Sequence, residues 1–379
     1  MTTASPTPNL DARPQPSRQA ADSEAQHTIL VINPGSTSTK IALYFDENPV
    51  FSEEISHSVE DLSGFASIMD QQEFRERLII ECLNNAGYRI EDVNCIIARG
   101  GALRPLPSGT YRVNDTMIDD LKTGRHGLHA SNLGAVLARR IGDRIKVDSF
   151  IVDPITVSEL SDMARVSGLP DIERVSIFHA LNQKAVARLA SRDLGKPYKY
   201  CRFIVAHMGG GISVGVHKYG KVVDVNNALN GDGPFAPTRS GHLPVWSLVE
   251  LAFSGKYTEE QLKRKIWSDG GMSAYLGTSD MREVKRRIAE GDSTARLVYE
   301  AMAYQVAKEI GAFATVLEGH VDGIVLSGGL ARDEDFVGMI TERVEFIAPL
   351  MIYPGSDEMR ALDMGAVRVL KGEEDALEY

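Results

Sequence analysis

Three stretches of this chain place small and hydroxylated residues where backbone amides can meet an anion. Asn33-Pro34-Gly35-Ser36-Thr37-Ser38-Thr39-Lys40 joins two apolar runs, Thr28-Ile29-Leu30-Val31-Ile32 and Ile41-Ala42-Leu43-Tyr44-Phe45. His207-Met208-Gly209-Gly210-Gly211 does the same between Phe203-Ile204-Val205-Ala206 and Ile212-Ser213-Val214-Gly215-Val216. In the third, Gly323-Ile324-Val325-Leu326 opens onto Ser327-Gly328-Gly329. Glycine lets backbone N–H groups approach oxygens closely, and Ser and Thr hydroxyls add donors, so such turns suit phosphate. One such turn alone reads as a plain tight hairpin; two with a third strand-to-glycine element favour a ligand. No Walker A sequence and no strand-GxGxxG-helix unit is present, which excludes the common P-loop and dinucleotide readings. Two arginines stand in fitting places. Arg99 ends the run Cys95-Ile96-Ile97-Ala98 before Gly100-Gly101, and Arg239 lies in the polar loop Pro237-Thr238-Arg239-Ser240-Gly241. A planar guanidinium suits two-pronged contact with phosphoryl or carboxylate oxygens.

The elements that must carry these residues follow from hydrophobic spacing. Strand, polar turn, strand predicts a hairpin at Thr28–Phe45 and a second at Phe203–Val216. Helices are predicted over Gln72–Ala86, with Phe74, Leu78, Ile79, Cys82 and Leu83 in phase, and over His129–Ile141, His179–Leu189 and about Ala295–Leu317. Ser149-Phe150-Ile151-Val152 is a strand ending at Asp153-Pro154. Two halves, each opening with a hairpin whose turn faces a ligand, predict a duplicated α/β architecture with a cleft between the halves.

The chain has 379 residues, 41 Lys plus Arg against 52 Asp plus Glu, and a net charge of −11. That balance offers no nucleic-acid or anionic-membrane surface. Cys82, Cys95 and Cys201 are far apart and form no CxxC pair, which argues against a disulfide framework or zinc site and fits a reducing cytoplasm. No apolar run is long enough for a membrane span. Residues 1–27, rich in Pro, Ser, Thr, Gln and Ala, read as a disordered tail.

Val31–Lys40 and His207–Val214, with Gly220 downstream, resemble the two signatures of the acetate kinase family. Ile97–Gly101, Ser176–Gln183, Val223–Leu229 and Thr238–Gly241 resemble the branch of that family that takes butyrate. The resemblance runs from about Thr28 to Gly372. It implies a two-domain duplicated actin-like/ribonuclease-H-like α/β fold with a central active-site cleft. Residues 28–153 would form the N-terminal domain, 154–359 the nucleotide-carrying domain, and a C-terminal helix at about 360–379 would pack on the first. The implied activity is reversible transfer of the γ-phosphoryl of ATP to butyrate or a similar short or branched fatty acid, giving acyl phosphate and ADP with Mg²⁺. A propionate or acetate kinase, or an ATP-binding sensor of the same fold without an acyl acceptor, are the alternatives. Two cationic clamps in one cleft speak against a sensor.

The same resemblance implies roles. Arg239 is the catalytic arginine and His179 the transition-state-stabilising histidine. Arg99 clamps the carboxylate, although the acetate kinase motif places its arginine earlier and a histidine before the paired glycines. Asn33 and Ser36 contact the phosphoryl group or metal-bound water, and His207 with Gly209, Gly210 and Gly211 borders the phosphates. Ser327, Gly328 and Gly329 form the adenosine turn. Asp153 lies near Mg²⁺ with Asn33, and either Asp357 or Glu358 is the second metal-associated acid. Phe178 walls the acyl pocket. A homodimer or higher homo-oligomer is implied as well, with small-molecule carboxylate and nucleotide as the other partners.

Overall fold

The computed structural model describes residues 27–379, so the expectation for the first 27 residues lies, His27 apart, outside the described residues. Strands are β1 Thr28–Pro34, β2 Ser38–Phe45, β3 Asn48–Ser56, β4 Cys95–Arg99, β5 Thr110–Arg112, β6 Asp148–Val152, β7 Arg202–Met208, β8 Ile212–Lys218, β9 Lys221–Val225, β10 Gly323–Gly328 and β11 Leu350–Pro354. The helices used below are α1 Gln72–Asn85, α2 Asn132–Ile145, α3 Ala180–Asp193, α4 Val245–Phe253, α5 Ser293–Val316, α6 Glu334–Val344 and α7 Glu358–Leu370.

The strands form two sheets, ordered β3-β2-β1-β4-β6-β5 and β11-β10-β7-β8-β9. In the first, β1 is antiparallel to β2 and parallel to β4, which is parallel to β6. In the second, β7 is antiparallel to β8 and parallel to β10, which is parallel to β11. The two sheets therefore repeat one plan, three antiparallel strands followed by two parallel ones, and the first adds β5 at its edge. The duplication read from two hairpins is present in the topology.

Strand β1 shows why its run is apolar throughout. Leu30 and Ile32 face Ile79 and Leu83 of α1 and Leu133, Leu137 and Ile141 of α2. Ile29 and Val31 face Leu362, Ala366 and Val367 of α7. A strand covered on both sides needs hydrophobic residues at odd and even positions alike. In the second sheet, Ile204, Ala206, Ile324 and Leu326 pack under α5 and α6, while Phe203, Val205 and Val325 meet Ala187 and Ala190 of α3. Helix α3 also sends Leu181 and Ala185 into the cluster around α7, so α3 and α7 lie together between the sheets.

Element ends moved by a few residues. The helix expected from His129 starts at Asn132, because His129 Nδ1 is taken by the Ser131 hydroxyl at 2.8 Å and the Asn132 side chain is turned to the Leu121 and Gly127 carbonyls. It runs on to Ile145, where Lys146 at φ 60° ends it. Strands β3, β5, β9 and β11 were not read from sequence. Those at sheet edges carry polar or half-exposed residues, as in β3 with Ser52, Glu53 and Glu54, and so lack the apolar signature.

Candidate active site

The carboxyl ends of the parallel strands β1, β4 and β7 bring Asn33, Arg99 and His207 into one cleft, the place where open α/β sheets take ligands. Helices α3 and α7 point their N-termini there. Glu358, the first residue of α7, accepts from Asn33 Nδ2 at 2.7 Å and from Arg99 Nη1 at 3.0 Å through Oε2, and from Asn182 Nδ2 of α3 at 3.4 Å through Oε1. Burial works to raise the pKa of this carboxyl. Arg99 leads the opposing effects, with Asn33, Asn182 and His207 behind it, and together they hold it below the usual carboxylate range. It is therefore ionised at neutral pH. The neighbouring Asp357 caps α7 through the Arg360 amide at 2.9 Å. Of the two acids left open, Glu358 is the one that touches Asn33, Arg99 and Asn182.

Two histidines stand side by side, the rings of His179 and His207 having centroids 4.6 Å apart. His179, at the start of α3, contacts the Ser213 hydroxyl through Nδ1 at 2.8 Å. Burial first, then the charges of His207, Arg239 and Arg99, push its pKa far below the ordinary value, so the ring is neutral. His207 is pushed down to about 4, burial being the main cause and Arg99 adding to it against Glu358. Its Nδ1 meets the Ser327 hydroxyl at 3.1 Å. Ser327 itself is wholly buried behind His207.

Arg239 lies over the glycine turn between β7 and β8. A Cβ added at Gly211 would come within 1.9 Å of Arg239 Nη1, so only glycine lets the guanidinium rest on the backbone there. Nη1 donates to the Ala228 carbonyl at 2.9 Å, while Nε is buried without a partner. Burial alone lowers the Arg239 pKa. This is a desolvated cation with an unused donor, which is what an anionic guest requires.

Next to it opens a cavity of about 480 Å³ lined by Gly209, Gly210, Thr238, Lys285, Gly329 and Arg332, among others. Of the predicted adenosine turn, only Gly329 borders it. Gly328, at φ 89°, exchanges backbone hydrogen bonds with Gly355 and sits where a Cβ would lie 2.3 Å from the Met208 carbonyl oxygen.

Three more of the expected residues have the following surroundings. Asp153, at φ 40°, gives Oδ1 to the Ser108 hydroxyl at 2.6 Å and the Gly109 amide at 2.9 Å, with Arg188 at 4.0 Å from Oδ2. None of these contacts is shared with Asn33 or Glu358. Phe178 is only 3% exposed and packs with Val157, Leu160, Val222 and Val225. Ser36 is exposed, and its carbonyl, rather than its hydroxyl, has a protein partner.

That partner is Arg75 of α1, which the sequence reading missed. Although 0% exposed, it donates to the carbonyls of Gly35, Ser36 and Ser38, to the Thr39 hydroxyl, and twice to Gln71 Oε1, at 2.8–3.0 Å. It draws the turn's carbonyls inward, and the amides of Ser36 and Thr37 are left without a protein acceptor among the described residues. The signal was present in the sequence: Arg75 is in phase with Ile79 and Leu83 on the buried stripe of α1. Asn182, one turn after His179, was missed too; only α7 folding back onto α3 shows that it touches Glu358.

The model of the Acetokinase family matches residues 172–349. Butyrate kinase 1 of Clostridium acetobutylicum is 50% identical over 353 residues, 93% of this chain and 99% of that protein. Among solved structures, Porphyromonas gingivalis acetate kinase aligns over 91% of this chain and all of its own, with a TM-score of 0.74 and 19% identity. A propionate kinase from Francisella tularensis subsp. tularensis SCHU S4 aligns over 90% of this chain and 99% of its own, at TM-score 0.69 and 18% identity. The fold is thus the two-sheet actin-like fold of the acetate and propionate kinases. The chain belongs to the acetokinase family.

Proposed function

We propose that this protein is a phosphotransferase that moves the γ-phosphoryl of ATP to the carboxylate of butyrate or a similar short or branched fatty acid. One observation carries the reading: two guanidiniums, Arg99 and Arg239, flank a neutral His179 and His207 in one cleft, and both charges act on His179. The 50% identity with a butyrate kinase supports the choice of acid.

A carboxylate is already a nucleophile, so the reaction needs alignment and charge management rather than a strong base. A carboxylate oxygen forms a bond to the γ-phosphorus while the bond to the β–γ bridging oxygen breaks, leaving ADP. Arg239 meets the equatorial oxygens of the group in flight through its guanidinium. His179 donates to the same oxygens without gaining a proton, being held neutral. Arg99 turns from Glu358 toward the incoming carboxylate. The amides of Ser36 and Thr37, aimed by Arg75, receive the phosphoryl end, and His207 closes its far side. The nucleoside occupies the cavity bounded by Gly210, Gly329 and Arg332, and Phe178 backs the acyl chain.

No group of three or more His, Cys, Asp or Glu side chains able to hold a metal stands among the described residues. An ionised Glu358 beside the Asn33 amide nevertheless fits Mg²⁺, which keeps most of its waters and leans on substrate phosphates. When bound, the ion would neutralise charge on the β- and γ-oxygens. Glu358 and Asn33 would hold its water shell, with Asp153 ordering the loop behind.

The protein acts in the cytoplasm and pairs with a second copy of itself. Among the described residues, no helix is long and apolar enough to cross a membrane. Helix α4 buries none of its residues although it reads VWSLVELAF, and Trp246 and Phe253 are 78% and 88% exposed. That face, beside a cavity of about 680 Å³ lined by Leu248, Leu251, Leu262 and Tyr275, is what the second copy covers.

Acyl-hydroxamate formation from ATP, Mg²⁺, hydroxylamine and acids of increasing length tests the function. Turnover fastest with butyrate or a branched neighbour is expected. Turnover with no short acid would leave a nucleotide-binding protein without an acyl acceptor.

A further inference from the structure

A file of buried polar groups runs back from His179 into the second sheet. Ser213 of β8 is wholly buried, with its hydroxyl 2.8 Å from His179 Nδ1. Gln183, one turn along α3 and likewise without exposure, places Nε2 2.8 Å from that hydroxyl and 3.0 Å from the Ser213 carbonyl oxygen. Gln183 Oε1 lies 3.0 Å from His217 Nε2, and His217 Nδ1 lies 2.7 Å from the Tyr198 hydroxyl.

Each link has one direction. A backbone carbonyl only accepts, so the Ser213 carbonyl fixes which end of the Gln183 amide is nitrogen. Gln183 Oε1 must then accept, and His217 Nε2 carries the proton that it donates there. Burial, with Lys184 and Arg188 behind it, keeps His217 neutral, so its Nδ1 is bare and accepts from Tyr198. At the other end, Ser213 Oγ accepts from Gln183. Its own proton has one acceptor among the described residues, His179 Nδ1. A hydroxyl proton buried without an acceptor is costly, so Nδ1 takes it. The proton of the neutral His179 ring is left to Nε2.

We infer that Gln183 and Ser213, backed by His217 and Tyr198, are positioning residues that lock His179 in its Nε2–H tautomer, giving the cleft a neutral hydrogen-bond donor of fixed direction. The role of that donor in phosphoryl transfer rests on the proposed function; the tautomer does not. A donor oriented before the reaction loses nothing to reorganisation as charge develops on the phosphoryl oxygens. The opposite tautomer would present a lone pair to those oxygens and repel them. Nothing in the residues around His179 taken singly makes this choice. It comes from the carbonyl of Ser213, three hydrogen bonds away along the file.

The test is a long-range ¹H–¹⁵N correlation spectrum of the imidazole rings in the full chain at neutral pH, with His179 assigned by loss of its signals in His179→Gln. The wild type is expected to show the neutral Nε2–H pattern for His179. Ser213→Ala should mix in the Nδ1–H form and lower kcat at least about tenfold, the scale of one misplaced proton-bearing group, with both KM values nearly unchanged. Ser213→Thr, which keeps the hydroxyl, should restore the single tautomer and most of kcat. A wild-type Nδ1–H or protonated pattern would overturn the inference, and this measurement stands even if a variant fails to fold. So would a Ser213→Ala protein that keeps one tautomer and full kcat, or a Ser213→Thr protein that falls as far as the alanine variant. The predicted tautomer in a protein that phosphorylates no carboxylate would remove the proposed function and leave the assignment intact.

Discussion

Replacing Arg239 with lysine keeps a cation in the cleft and removes its planar fork. The guanidinium rests on Gly211, gives Nη1 to the Ala228 carbonyl and holds Nε buried without a partner. Burial lowers its pKa, and among the described residues it forms no ion pair with a carboxylate. Folding therefore loses one ordinary hydrogen bond in Arg239→Lys, about 0.5–1.5 kcal/mol. The reaction loses a preorganised donor aimed at developing charge, which is worth about 2.7–4 kcal/mol, or roughly two to three orders of magnitude in kcat. The second effect exceeds the first, so activity should collapse in a protein that remains folded. Because the lost contact forms only as charge develops, the KM for ATP should change little. Initial rates with ATP and butyrate varied independently, alongside urea unfolding of the same preparation, check both halves. The reasoning is refuted by a kcat within about tenfold of wild type, or by an ATP KM that rises enough to account for the whole loss in kcat/KM.

Glu358→Gln keeps the contacts' shape but removes the charge that Arg99 faces, so the Mg²⁺ concentration giving half-maximal rate should rise several-fold; an unchanged Mg²⁺ titration would remove Glu358 from the metal's surroundings. Arg75→Met leaves buried acceptors on the Gly35–Thr39 turn unmet, at about 1–3 kcal/mol for each one that stays dry. Denaturant unfolding should show a loss of at least about 2 kcal/mol, accompanied by a raised ATP KM. Asp363 is wholly buried with neither oxygen hydrogen-bonded, and its pKa is pushed up to about 8, chiefly by burial and then by Glu47. A carboxyl whose folded pKa exceeds its unfolded one binds more protons when folded, so its stabilising effect is full below the unfolded value, 3.8, and declines until pH passes about 8. Asp363→Asn should flatten that decline and raise stability at pH 8, read by urea unfolding at several pH values; a pH slope equal to wild type would contradict the assignment. His57, buried and lowered to about 4 by burial and Arg75, has the opposite sign. Its neutral ring stabilises the fold above the unfolded value of 6.5, and that contribution is lost as pH falls toward 4, so His57→Gln should lessen acid sensitivity across that window.

The sequence by itself determined the parts of this protein that local chemistry specifies. Apolar runs buried on both faces announced β1, β4, β7 and β10, and the glycine and hydroxyl turns after them announced anion sites, because strand and turn signals are written over a few adjacent residues. Arg99 and His207 were legible for the same reason, each sitting at a strand end before glycines, whereas His179 and Arg239 stood out only through the family resemblance. What only the tertiary structure decided is which distant groups meet. Glu358 and Asp357 are neighbours with the same chemistry, and the choice between them came from α7: one caps the helix and the other faces Asn33, more than three hundred residues earlier in the chain. Arg75 went unremarked on an amphipathic helix, and only the fold places its guanidinium inside the first turn. That Asp153 Oδ1 meets the Ser108 hydroxyl and the Gly109 amide, some forty-five residues earlier, is likewise seen only in the fold. The direction of the file behind His179 also exists only in three dimensions. Hydrogen-bond partners across sheets and helices are set by packing, and sequence spacing carries no record of them.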